Sequence, residues 1–156
     1  MPWIENCAAD DIPKAYHHDA GPNSMLIQIS DPASWLPTPR HSFTETYAFE
    51  FLDIEDDDHA DDPEMFISEK QAKELVHLLK HAFENKMNVV VHCFAGVSRS
   101  AAVAEVGIRM GFDEVEKFRS PNTRVMRLMM AELGLPYEVT HHNWREDYRK
   151  YMGAKF

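Results

Sequence analysis

The chain has no apolar run of the length needed to cross a bilayer, about 20 consecutive residues. It holds only two cysteines, Cys7 and Cys93, so no disulfide framework organises it and a reducing compartment is expected. Basic residues are in deficit: 16 lysines and arginines stand against 26 aspartates and glutamates, for a net charge of -10. With no Lys/Arg run, the basic stripe of a nucleic-acid binder is excluded and an anionic membrane surface is disfavoured. The opening Met1-Pro2-Trp3-Ile4-Glu5-Asn6 has no basic segment leading into an apolar one, which gives no secretory signal and an expected cytoplasmic location. The histidines do not supply a zinc pattern. His77 and His81 lie one helical turn apart, and His17-His18 and His141-His142 are adjacent pairs, but no Cys or carboxylate spacing completes a site. No metal and no cofactor is expected.

What is present fits one soluble globular domain spanning residues 1–156, with 44% apolar and 27% charged residues. Residues 1–24 carry turn formers and charge without a clear period, and read as a loosely structured lead-in. Met25 to Ile29 reads as a buried strand ended by the turn Ser30-Asp31-Pro32, and Tyr47 to Ile54 as a second strand. Ser68 and Gln71 form a capping box ahead of a helix whose Ala72, Leu75, Val76, Leu79 and Phe83 recur at helical spacing. A short apolar strand, Asn88 to His92, follows. Ser100 to Met110 reads as a buried helix stopped at Gly111, its small residues suited to close packing on a sheet. Asn122 caps a further helix, and Trp144, Tyr148 and Tyr151 recur at the spacing of a last amphipathic one. The order of strand, helix, strand, loop and helix predicts an α/β fold: a central mixed, largely parallel sheet flanked by helices, with the ligand at the carboxyl ends of the strands.

The segment from Val89 to Ser100 concentrates the chemistry. Cys93 and Arg99 stand at the two ends of a seven-residue loop between the last apolar strand and a helix. A backbone curled from Phe94 through Ala95, Gly96, Val97 and Ser98 to Arg99 converges its N–H groups into a nest for a tetrahedral oxyanion. Gly96 permits the curvature. Arg99 offers a planar fork for two phosphate oxygens, and a helix N-terminus beside a guanidinium is the environment that activates a thiol.

His92-Cys93-Phe94-Ala95-Gly96-Val97-Ser98-Arg99-Ser100 resembles the signature of the cysteine-dependent protein tyrosine phosphatases, in particular the small dual-specificity-like phosphatases of bacteria and their phages. The resemblance implies a phosphate-binding loop between strand and helix, Cys93 as nucleophile, and Arg99 as phosphate ligand. It further implies that Ser100 helps the sulfur to leave, that His92 orders the loop, and that an aspartate on a neighbouring loop acts as general acid. Eight carboxylates between Asp53 and Glu64 compete for that last role. Asp53 ranks first because Phe51-Leu52-Asp53-Ile54 resembles the strand-end phrase of the family; Asp56 is second and Asp61, 32 residues before Cys93, third. Neighbouring carboxylates raise one another's pKa, which favours a protonated member.

The expected function is metal-independent hydrolysis of phosphotyrosine, and of phosphoserine or phosphothreonine, through a cysteinyl-phosphate intermediate. The partner is a phosphorylated protein or peptide, with basic flanking residues to suit the acidic field. Alternatives are a phosphoinositide or RNA 5′-phosphatase of the same chemistry, and a phosphoprotein-binding pseudophosphatase. Trp35, Tyr47, Tyr137 and Trp144 are candidates for a pocket rim, against the commoner fate of aromatics as core. A Cys7–Cys93 disulfide depends on a separation that only the fold decides.

Overall fold

A computed structural model describes residues 1–15, 17–55 and 65–137. Five strands, β1 (Trp3–Ala8), β2 (Ser24–Ser30), β3 (Glu45–Glu50), β4 (Asn88–Cys93) and β5 (Asp113–Glu114), form one sheet in the order β3-β2-β4-β1-β5. Every ladder among the described residues is parallel, in keeping with the largely parallel sheet expected and without an antiparallel member among those residues. Each strand is joined to the next by a crossover, and none by the tight hairpin that an antiparallel neighbour needs. The strand from Tyr47 ends at Glu50, short of the expected Ile54: β2 itself ends at Ser30, whose carbonyl takes the Phe51 N–H at 3.0 Å, and the next N–H, of Leu52, turns to Met65 O at 2.8 Å.

Residues 1–24 are not a lead-in. Trp3–Ala8 is an inner strand, paired with β4 from Ile4↔Val89 to Ala8↔Cys93 and with β5 on its other side. Its Glu5 and Asn6 obscure the apolar pattern of a buried strand, yet Asn6 is only 1% exposed. β2 is buried along its whole length and β4 nearly so, as expected of strands covered on both faces.

Three helices, α1 (Glu69–Glu84), α2 (Arg99–Met110) and α3 (Thr123–Glu132), share one core with the strands. The Ser68 side chain accepts from the Gln71 N–H, and the Gln71 side chain reaches back to the Ser68 N–H at 3.0 Å, completing the expected box. Small residues bring α2 onto the sheet: a Cβ on Gly107 would stand 2.8 Å from Ile4 Cδ1. The opposite face of the sheet carries a smaller cluster of Cys7, Ile12, Leu26 and Val90, covered by Trp3 and Phe43. No helix among the described residues is long and apolar enough to cross a membrane. The expected helix with Trp144, Tyr148 and Tyr151, and the acidic residues Asp56 and Asp61, lie outside the described residues.

Candidate active site

The parallel sheet aims all five strand ends at one edge, and β4 delivers Cys93 there. The loop Phe94 to Ser98 then turns into α2, whose first residue is Arg99. Its carbonyls are claimed from outside. Phe94 O accepts from Ala9 N (3.3 Å), Gly96 O from Asn6 Nδ2 (2.7 Å), Val97 O from Ser120 N (2.8 Å) and Ser98 O from Asn122 N (3.1 Å). In a planar trans peptide the N–H points opposite to the C=O. Fixing these four carbonyls outward therefore turns the N–H groups of Ala95, Val97, Ser98 and Arg99 inward, and builds an anion nest from backbone alone. The Gly96 N–H donates to Cys93 Sγ at 3.3 Å.

Gly96 has φ +77°, and a Cβ there would lie 2.5 Å from Ala8 N and from the Cys7 carbonyl carbon. Only glycine meets both the left-handed backbone and the close approach to β1.

Cys93 is buried, with Ser100 Oγ 3.1 Å from its sulfur. Arg99 is 5% exposed. Its Nη1 donates to Asp31 Oδ1 (2.7 Å) and to Phe51 O (2.8 Å), whereas its buried Nε has no partner among the described residues. One corner of the guanidinium is thus anchored to the protein, while the edge holding Nε keeps N–H donors of the geometry that suits two oxygens of an anion.

Of the acid candidates, the fold brings Asp53 to the loop. Its Oδ1 accepts from Ser98 Oγ and Asn122 Nδ2, both at 2.7 Å. Glu55 is directed to Thr123 Oγ1 at 2.8 Å, away from the loop. Three participants escaped the sequence reading. Asp31 looked like a turn residue, although an aspartate directly after a buried strand is the same signal that singled out Asp53. Asn6 sat in the supposed lead-in. Asn122, read as a helix cap, does accept from Val125 N at 3.0 Å but also ties the Asp53 segment to the loop.

His92 and Cys93 alternate across the sheet. Cys7 pairs with His92, and Ala8 with Cys93, so Cys7 and Cys93 belong to opposite cores and a bridge between them would require β1 or β4 to turn over. Burial pushes the Cys7 thiol up to about 12. Of the proposed rim aromatics, Tyr47 bonds Glu45 and packs on the core, and Tyr137 lies beneath the Arg109 guanidinium. Trp35 alone of the three described is well exposed, at 66%. His81, too, is engaged by Glu45, at 2.9 Å.

Burial also pushes His92 down to about 4, with the Cys93 backbone acting weakly the other way. The native ring stays neutral while the unfolded one takes up a proton near pH 6.5. The unfolded state then binds more protons, so stability falls as pH drops from about 6.5 to 4 and levels off below, a loss of about 3 kcal/mol. Urea midpoints of the wild type should decline more steeply across that window than those of His92→Gln. Parallel declines would show that the buried ring is not the linked group.

No family model and no curated protein matches the sequence. Among solved structures, human DUSP28 is similar at 15% identity over 100% of this chain and 97% of that one, with a TM-score of 0.51. The human tyrosine phosphatase-like serine/threonine/tyrosine-interacting protein is similar at 17% identity over 97% and 95%, with a TM-score of 0.52. At such identities the likeness concerns the fold: the chain has the α/β fold of the cysteine-dependent protein tyrosine phosphatases.

Proposed function

We propose that this chain is a metal-independent protein phosphatase that hydrolyses phosphotyrosine, and phosphoserine or phosphothreonine, through a phosphorylated Cys93. The observation that supports the reading is a loop between Cys93 and Arg99 whose carbonyls are bonded from outside, with the Gly96 N–H on Cys93 Sγ and the Arg99 Nε unpartnered among the described residues. Three equatorial phosphate oxygens are held by the N–H groups of that loop and of Arg99, which leaves the phosphorus facing the sulfur. The Cys93 thiolate attacks phosphorus; the P–O bond to the substrate breaks, and protonated Asp53 gives its proton to the departing oxygen. Water then attacks the cysteinyl phosphate, its proton passes to Asp53, and the S–P bond breaks to release inorganic phosphate. The Ser100 hydroxyl, 3.1 Å from the sulfur, supports negative charge as the sulfur leaves.

Asp31 acts as a positioning residue for Arg99. Its carboxylate and Phe51 O share Nη1 and so set the plane in which the free edge presents itself. The test is phosphate release from matched phosphotyrosyl, phosphoseryl and phosphothreonyl peptides in the presence of EDTA. Asp53→Asn should lower kcat about 100-fold and remove the high-pH limb of the kcat profile, which reports the acid. Asp31→Asn should weaken vanadate binding and kcat/KM about tenfold and leave that limb in place. A wild type that binds vanadate and phosphopeptide yet releases no phosphate would replace this reading with that of a binding module. An Asp53→Asn variant with an unchanged profile would move the acid elsewhere.

A further inference from the structure

Six large apolar side chains among the described residues are well exposed: Met1, Trp35, Leu36, Met65, Phe94 and Leu135. Four of them belong to segments that adjoin the carboxyl ends of β2, β3 and β4. Trp35 and Leu36 lie in the connection that leaves β2, and Phe94 directly follows the nucleophile at the end of β4. Met65 is held beside the end of β3 by Leu52 N donating to its carbonyl at 2.8 Å.

The placement of Trp35 and Leu36 is fixed from below. Gln28 Nε2 donates to Pro37 O at 3.1 Å, and Gln28 is paired across the ladder with His92, one residue before Cys93. The Trp35-Leu36-Pro37 segment is therefore anchored over the seam between β2 and β4. Phe94, 80% exposed, sits on the other flank of β4, where its carbonyl binds Ala9 N. An exposed indole and an exposed phenyl ring are thus carried by the loops that leave the adjacent strands β2 and β4 at the edge where Cys93 stands. Exposed apolar side chains grouped on neighbouring loops are a mark of a binding site, and among the described residues the other two, Met1 and Leu135, belong to neither loop.

We infer that this rim selects the residues beside the phosphorylated one: the preferred ligand is a phosphopeptide carrying a bulky apolar side chain next to its phosphoresidue. The inference rests on the phosphate nest of the proposed function. A phosphate bound at the loop forces the adjoining side chains across Trp35, Leu36 and Phe94, and only apolar ones gain by leaving water there. The acidic net charge, which pointed to basic neighbours, acts at long range and is screened beyond about 8 Å at physiological salt. Two carboxylates beside the nest, Asp31 and Asp53, are already engaged by Arg99, Ser98 and Asn122.

The experiment is fluorescence anisotropy with labelled phosphotyrosyl peptides whose neighbours are leucine and phenylalanine, alanine, or lysine, bound to Cys93→Ser protein so that turnover plays no part. The apolar-flanked peptide should bind about tenfold more tightly than either other. In the same background Trp35→Ala should reduce that advantage below about threefold, while Leu135→Ala should leave it intact. Equal affinities, tightest binding of the lysine-flanked peptide, or an advantage that survives Trp35→Ala would each overturn the inference. Failure of the underlying reading shows separately, as absence of phosphate release from all three peptides by the wild type.

Discussion

Replacing Cys93 with serine is expected to lower kcat by about 10⁴-fold or more while leaving phosphopeptide binding within a few-fold of the wild type. A hydroxyl gives up its proton far less readily than a thiol and is the weaker nucleophile at neutral pH. The exchange is nearly isosteric, and the groups that would hold the phosphate are backbone N–H donors and Arg99, none of which it removes. Cys93 is 1% exposed, with its sulfur between the Gly96 N–H and Ser100 Oγ, so serine meets two hydrogen-bonding neighbours and leaves no cavity. Phosphate release and peptide binding measured on one preparation check both halves. Residual turnover above about 1% would place the nucleophile elsewhere.

The second large effect is structural. Gly96→Ala should cost more than about 4 kcal/mol, the range of substitutions that combine backbone strain with a steric clash. The new Cβ would meet not a movable side chain but the backbone of Cys7 and Ala8, at 2.5 to 2.7 Å, from a residue held at φ +77°. Relief requires β1 to withdraw from β4, which undoes the Asn6 bond to Gly96 O and with it the carbonyl-out arrangement of the loop. The melting temperature should fall by about 8–16 °C, and any folded fraction should lose vanadate affinity. If the variant does not fold, Asn6→Ala tests the same bracing with less strain: it should weaken vanadate binding while the protein remains folded. A Gly96→Ala protein with wild-type stability and affinity would show that the loop tolerates a different path.

Much of this arrangement was legible in the residues because the signals are local. The Ser68 and Gln71 box, the apolar spacing of α1, the stop at Gly111 and the Asn122 cap each depend on a few neighbouring side chains, and each was found where expected. The loop from Cys93 to Arg99 was readable for the same reason. What escaped was non-local. Asn6 is polar because its amide must reach the Gly96 carbonyl, 90 residues away, and that need is invisible without the partner. Asp31 and Asp53 follow different strands and meet the loop only because β2 lies beside β4 and β3 lies next beyond β2 in the sheet. The sequence order placed β3 and β4 next to each other, whereas the fold inserts β2 between them.

The position of β1 has a consequence for synthesis. Its ladder partner begins at Val89, so at about 5–20 residues per second the first strand waits several seconds on the ribosome before β4 exists to receive it. A fully apolar segment exposed for that time invites wrong pairing. Glu5 and Asn6 interrupt it, and both acquire partners only on assembly, Lys117 at 2.6 Å and Gly96 O at 2.7 Å. The two side chains that disguise the strand also break the apolar run that favours wrong pairing before its place in the sheet is made.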